Sequence, residues 1–142
     1  MTATRRAAAA ELYQICATFV DSVNGLLSRS HITLDPPHYT HDEFREDSAN
    51  LIQMNVSGRI LQVEFQVTPE LVSTEDFRIP YTLEGYVRAF NQELLEKDLI
   101  EEQLIFYTLE KPQPLWRFFD VRTHRSDRLD QEYLISLMEH LV

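Results

Sequence analysis

Glycine is scarce in this chain. Gly25, Gly58 and Gly85 are all that 142 residues contain. A phosphate-cradling loop of the GxxxxGK[ST] or GxGxxG kind cannot be assembled from glycines so far apart. The GxSxG and HExxH arrangements are missing too, which removes the familiar serine-hydrolase and zinc-protease signatures. A Ser, His and Asp set gathered from distant positions stays open, because such sets need no local motif. Cysteine occurs once, as Cys16, so no internal disulfide and no CxxC pair can form. That fits a reducing compartment.

Basic charge is also in short supply. Lys and Arg number 13 against 23 Asp and Glu, and the formal net charge is −10. Nonspecific nucleic-acid binding draws on cations that neutralise phosphates, and adsorption to anionic lipid needs them as well. Neither role suits this chain, whereas basic partners do. No apolar run approaches the 18 or so residues of a membrane span. Arg5 and Arg6 precede four alanines, but Glu11 and Gln14 interrupt the apolar stretch and no cleavage pattern follows. The expectation is a cytoplasmic protein. With 44% hydrophobic and 25% charged residues, one soluble domain spanning 1–142 is expected.

What the chain does contain is periodicity. Leu12, Ile15, Cys16, Phe19, Val23, Leu26 and Leu27 recur at three and four, predicting one long helix over residues 3–28. Cys16 falls inside that stripe and reads as a buried, inert thiol. Pro36-Pro37 then blocks regular structure, and a short helix is expected over 41–48. NLIQMNV and RILQVEFQV flank Ser57-Gly58, which predicts a hairpin. Pairing Val56 with Arg59 sets Met54 against Leu61, Ile52 against Val63 and Gln53 against Gln62. Pro69 is expected to end the second strand, and a short edge strand is allowed at Phe77 to Tyr81.

From Thr82, the spacing of Leu83, Tyr86, Val87, Phe90, Leu94 and Leu95 predicts a central helix. EQLIFYTLE and LWRFFDV predict a second hairpin around KPQP, with Glu110 opposite Leu115. One face carries Leu109, Tyr107, Ile105, Trp116 and Phe118. The other carries Leu104, Phe106, Phe119 and Val121, so both faces are apolar and the second needs a cover. A last helix is expected from Ser126. The fold class expected is α+β: an antiparallel sheet of two hairpins, with a fifth edge strand allowed, packed with long N-terminal, central and C-terminal amphipathic helices.

Three constellations carry chemistry. PPHYTHDEF brings His38 and His41 near Asp42, Glu43 and Glu46, and a helix would let His38, His41 and Glu46 share a divalent transition metal. The same residues from Thr40 to Glu43 also match a helix capping box, which needs no metal. Glu64-Phe65-Gln66, with Asp47 upstream, loosely resembles the acidic residue and Glu-x-Lys strand of restriction-endonuclease-like nucleases. Gln stands where their lysine would be. Arg122, Arg125 and Arg128 gather near aromatics and could hold an anion or acidic peptide, with a helix start at Ser126 or Asp127 adding backbone donors. Asp120, Asp127 and Asp130 offer these arginines ordinary ion pairs instead.

The favoured reading is a non-enzymatic protein-binding or oligomerising domain, an acidic adaptor or chaperone-like module without a cofactor. The expected interface is Leu104, Phe106, Phe119 and Val121, and the expected assembly is a homodimer. A metal protein using His38 and His41, and an anion reader using the three arginines, are the alternatives. In layout, the expected element order resembles the small acidic dimeric chaperones of type III secretion, which alternate helices with antiparallel strands and end in a helix. That resemblance implies an acidic dimeric binding module.

Overall fold

Alanine and straight-chain residues favour helix at the start of the chain. In the computed structural model, Thr2–Leu27 form one 26-residue helix, α1. The structure describes residues 2–27, 37, 44–56, 59–72, 80–91, 98–110 and 113–139. Helix α1 buries Ala8, Ala9, Leu12, Cys16, Phe19, Val20 and Val23, spaced as one face demands. Six strands follow: β1 (Asn50–Val56), β2 (Arg59–Val72), β3 (Tyr81–Asn91), β4 (Asp98–Thr108), β5 (Leu115–Asp120) and β6 (Arg125–Arg128). A nine-residue helix, α2 (Gln131–Glu139), follows them. The strands form one antiparallel sheet in sequence order, a simple meander.

The first hairpin has the register its alternation predicts. Val56 faces Arg59, Met54 faces Leu61, Ile52 faces Val63 and Gln53 faces Gln62. Both faces agree on that register, and a one-residue slip would put Ile52 and Met54 in water. Asn50 seals the strand's entry. Its side-chain oxygen accepts from the Arg45 amide at 2.8 Å, and its side-chain nitrogen donates to the Arg45 carbonyl at 2.9 Å.

The expected fold class does not hold. Among the described residues, two helices and six strands stand where three long helices and two hairpins were expected. The central helix from Thr82 is strand β3. Leu83 and Val87 are four residues apart, and that spacing puts them on one face of a helix and of a strand alike. The intervening residues decide. Leu83, Gly85, Val87 and Ala89 are buried, while Glu84, Tyr86 and Arg88 between them are partly exposed. That is period two, and Gly85 together with the aromatic and β-branched neighbours weakens a helix here.

Further expectations shift. Strand β2 runs on past Pro69 to Val72, with its register broken between Val67 and Val72, so the proline sits in an irregularity rather than at an end. Thr108, not Glu110, lies opposite Leu115 in the second hairpin. A two-residue shift preserves parity, so Ile105, Tyr107, Trp116 and Phe118 still share one face. The last helix starts at Gln131, not Ser126, because residues 121–124 form a turn into β6. His124 takes a φ of 57° there, and its amide bonds the Asp120 carbonyl at 2.8 Å. No helix covers the described part of the expected 41–48 segment, which bends at 46–48. Of the edge strand expected at Phe77 to Tyr81, residues 77–79 lie outside the described residues, Pro80 is in no strand and Tyr81 opens β3.

Both helices pack on one face of the sheet. The Trp116 indole N–H donates to the Ala8 carbonyl at 2.8 Å. Phe118 stacks on Tyr133 with ring centroids 4.1 Å apart, and the Ser22 hydroxyl meets Gln131 at 3.2 Å. The main core lies between these layers, from Phe19 and Leu12 through Phe65 and Ile105 to Leu134. The opposite face carries the polar pairs and a second, smaller cluster of Tyr81, Phe106 and Phe119. The alternation of helices and strands is gone, and the layout resemblance to secretion chaperones goes with it.

Candidate functional site

The face of the sheet away from the helices holds the most developed surface. Alternation along β2, β3 and β4 brings Glu64, Glu84, Tyr86, Arg88 and Glu102 to it. The Arg88 guanidinium donates to Glu102 at 2.6 Å and to Glu64 at 2.9 Å, and lies 4.2 Å from the centre of the Tyr86 ring. Burial works against this charge, but the hydrogen bond and charge of Glu102 and the charge of Glu64 outweigh it and hold Arg88 above its ordinary pKa. One cation between two carboxylates leaves the triad net negative.

Beside the triad is a cleft of about 280 Å³. Tyr81, Leu104 and Phe106 make it apolar, and Glu64 and Glu84 make it acidic. Tyr81 and Phe106 lie with ring centroids 4.5 Å apart. Burial, then the charge of Glu84, raises the Tyr81 hydroxyl's pKa, so it stays a neutral donor. Gly85 also lines the cleft. A Cβ there would stand 1.8 Å from the Glu64 carbonyl oxygen, so β2 and β3 approach closely only because that side chain is missing.

A second cleft, about 350 Å³, opens between α2 and strands β4 to β6. Arg125 and Arg128 line it, together with Asp120, Asp127, Asp130 and Glu132. Carboxylates therefore outnumber guanidinium groups two to one. Arg122 stands in the turn, largely exposed, 3.8 Å from Asp120. Arg125 lies 5.8 Å from the centre of the Phe118 ring. The three arginines do not converge on one point of their own, and the helix start invoked at Ser126 or Asp127 is strand β6.

The other sequence candidates are dispersed. His38 and His41 lie outside the described residues, as do Thr40, Asp42 and Glu43. Glu46 and Asp47 are exposed in the bend at 46–48. Glu64 is engaged by Arg88 on the open face. Among the described residues, no group of three or more His, Cys, Asp and Glu side chains is arranged to hold a metal ion. Of the expected interface, Phe106 and Phe119 are 8% and 5% exposed and Leu104 is partly buried, while Val121 is 56% exposed beyond the end of β5. Three of the four thus pack within the single chain. Among the described residues, no helix is long and apolar enough to cross a membrane.

The sequence reading missed Tyr81, Glu84, Tyr86 and Arg88 as a set. Assigned to a helix from Thr82, Glu84 and Arg88 share one face, Tyr86 joins the apolar stripe on another and Tyr81 lies before the helix. As a strand, Glu84, Tyr86 and Arg88 share the open face by alternation, and the register shift between Tyr81 and Leu83 brings Tyr81 there as well. No protein-family model, curated protein or solved structure matches this chain.

Proposed function

We propose that this chain is a non-enzymatic protein-binding module, an acidic adaptor or chaperone-like domain of the cytoplasm. It takes a basic, partly apolar segment of a partner protein on the open face of its sheet. The observation that carries this reading is the cleft beside the Arg88 triad, where Tyr81, Leu104 and Phe106 offer apolar contact and Glu64 and Glu84 supply negative charge. A Lys- or Arg-rich segment with an aromatic or leucine anchor matches both properties. The net charge of −10 steers such a segment toward the protein and repels acidic ones.

The test is fluorescence anisotropy with short labelled peptides. Basic peptides carrying one aromatic anchor should bind at micromolar concentration, and salt should weaken them. Glu84→Lys should weaken binding roughly tenfold, because it puts a like charge beside the ligand. Acidic peptides of equal length should not bind. Equal affinity for both peptide classes, or indifference to Glu84→Lys, would remove the support for this reading.

A further inference from the structure

From Leu83 onward β3 alternates regularly. Leu83 and Val87 pack in the main core, and Glu84 and Tyr86 stand on the open face beside the cleft. Continued backward, that alternation would put Thr82 on the open face and Tyr81 in the main core. Tyr81 instead packs on Phe106 in the open-face cluster, with ring centroids 4.5 Å apart. Thr82 instead reaches α1, where its hydroxyl accepts from the Arg5 guanidinium at 2.9 Å. One extra residue makes the inversion. Tyr81 lies opposite Thr108 and Leu83 opposite Tyr107, so Thr82 has no counterpart on β4. This is a β-bulge, which re-aims a side chain.

A bulged residue leaves the ladder, so its polar groups need other partners. The Thr82 carbonyl accepts from the Thr68 hydroxyl at 3.0 Å. Thr68 lies where β2 breaks its own register, between Val67 and Val72. The Arg5 guanidinium also reaches the Thr68 carbonyl, at 3.5 Å. One side chain of α1 thus touches both strands where both depart from regular pairing. Thr68 and Thr82 are 1% and 0% exposed, so removing that donor leaves a buried oxygen short of its partner.

We propose that Arg5 is a positioning residue for the cleft: by holding Thr82 in the bulge, it keeps Tyr81 on the open face against Phe106. Among the described residues, Arg5 does not itself line the cleft, so it acts through Tyr81 alone. Glu84 is placed independently, by regular pairing with Gln66 and Phe106. Arg5 therefore governs the apolar half of recognition and leaves the charged half untouched. The step from Tyr81 to peptide binding rests on the proposed function; the step from Arg5 to Tyr81 does not.

The test takes the full chain with Arg5→Ala and, separately, Thr82→Val, which removes the acceptor and keeps a β-branched side chain. Proton NMR reads Tyr81 directly. Cross-peaks between the Tyr81 and Phe106 rings should be present in the wild-type protein and lost in both variants. Those between Tyr107 and Trp116, whose ring centroids lie 5.4 Å apart on the helix-covered face, should remain and report an intact fold. Peptide anisotropy then separates positioning from support. Basic peptides with an aromatic anchor should bind either variant roughly three- to tenfold more weakly. The same peptides with alanine at the anchor should bind wild-type and variant proteins alike. The double variant should bind as the single ones do, because both remove one interaction. A purely structural Arg5 would lower the urea midpoint and leave the Tyr81–Phe106 cross-peaks and the anchor preference unchanged, and that result overturns the proposal. A wild-type protein that binds no basic peptide would remove the cleft reading, while the ring cross-peaks would still decide whether Arg5 places Tyr81.

Discussion

At the scale of single residues, Gly85 shows how one missing side chain sets a neighbourhood. It lies opposite Phe65, and a methyl group there would meet backbone atoms of β2, the Glu64 carbonyl oxygen at 1.8 Å and the Phe65 Cα at 2.7 Å. Backbone cannot turn aside as a side chain can, so β2 and β3 would have to separate. Gly85→Ala should cost about 2–3 kcal/mol, the upper part of the overpacking range. Urea unfolding followed by circular dichroism checks this, and an unchanged midpoint would count against so tight an approach. Phe65 packs edge-on against Trp116 at 5.5 Å, and the Trp116 N–H reaches the Ala8 carbonyl. A displacement at Gly85 therefore reaches α1 through two contacts.

At the scale of elements, α2 shows what one capping residue does. Nine residues are too few for a helix to be stable alone in water. The Asp130 carboxylate accepts from the Tyr133 amide at 2.9 Å, an N-cap that satisfies one of the unpaired first-turn donors. Asp130→Ala should cost about 1 kcal/mol, whereas Asp130→Asn, which keeps the acceptor, should cost a few tenths at most. Thermal melts of the pair separate capping from charge. The same segment shows where sequence patterns mislead. Ser126 and Asp127 look like cap residues, but the charged β6 intervenes and the true cap is four residues beyond Ser126. Strand β1 and the first half of β2 were legible because their alternation and the Ser57-Gly58 turn agreed on one register. Strand β3 was not, because Leu83 and Val87 fit both periods and the alternating burial of the residues between them shows only in the folded sheet. The cleft was lost with it, since Glu84 and Tyr86 meet Phe106 and Leu104 only across a sheet.

At the scale of the whole molecule, the ionisable groups close the stability range from both sides. Glu110 accepts two hydrogen bonds from Arg117, at 2.7 and 2.9 Å, and one from Thr108. The Arg117 bond, against some burial, holds its pKa below the ordinary carboxylate value of 4.5. A depressed native pKa contributes stability above the unfolded value, and that share is lost as pH falls through the native one. Both partners are partly exposed, so this acid limb is shallow. Cys16 acts from the other end. Complete burial on the inner face of α1 pushes its thiol from 9.0 up to about 12. Above about pH 9 the unfolded chain releases a proton that the native chain keeps, so the unfolded state binds fewer protons and stability falls as pH rises toward 12. Tyr81 and Tyr107, both raised from 10.0 chiefly by burial, add to the decline from a higher starting point. Cys16→Ala leaves the tyrosine part and removes the part that begins near 9. Urea midpoints compared between pH 7 and pH 10 should therefore drop less in Cys16→Ala than in the wild-type protein. A thiol reagent at pH 8 should modify Cys16 only at the rate at which α1 lifts from the sheet, and faster labelling would mean that the core beneath α1 is open to solvent.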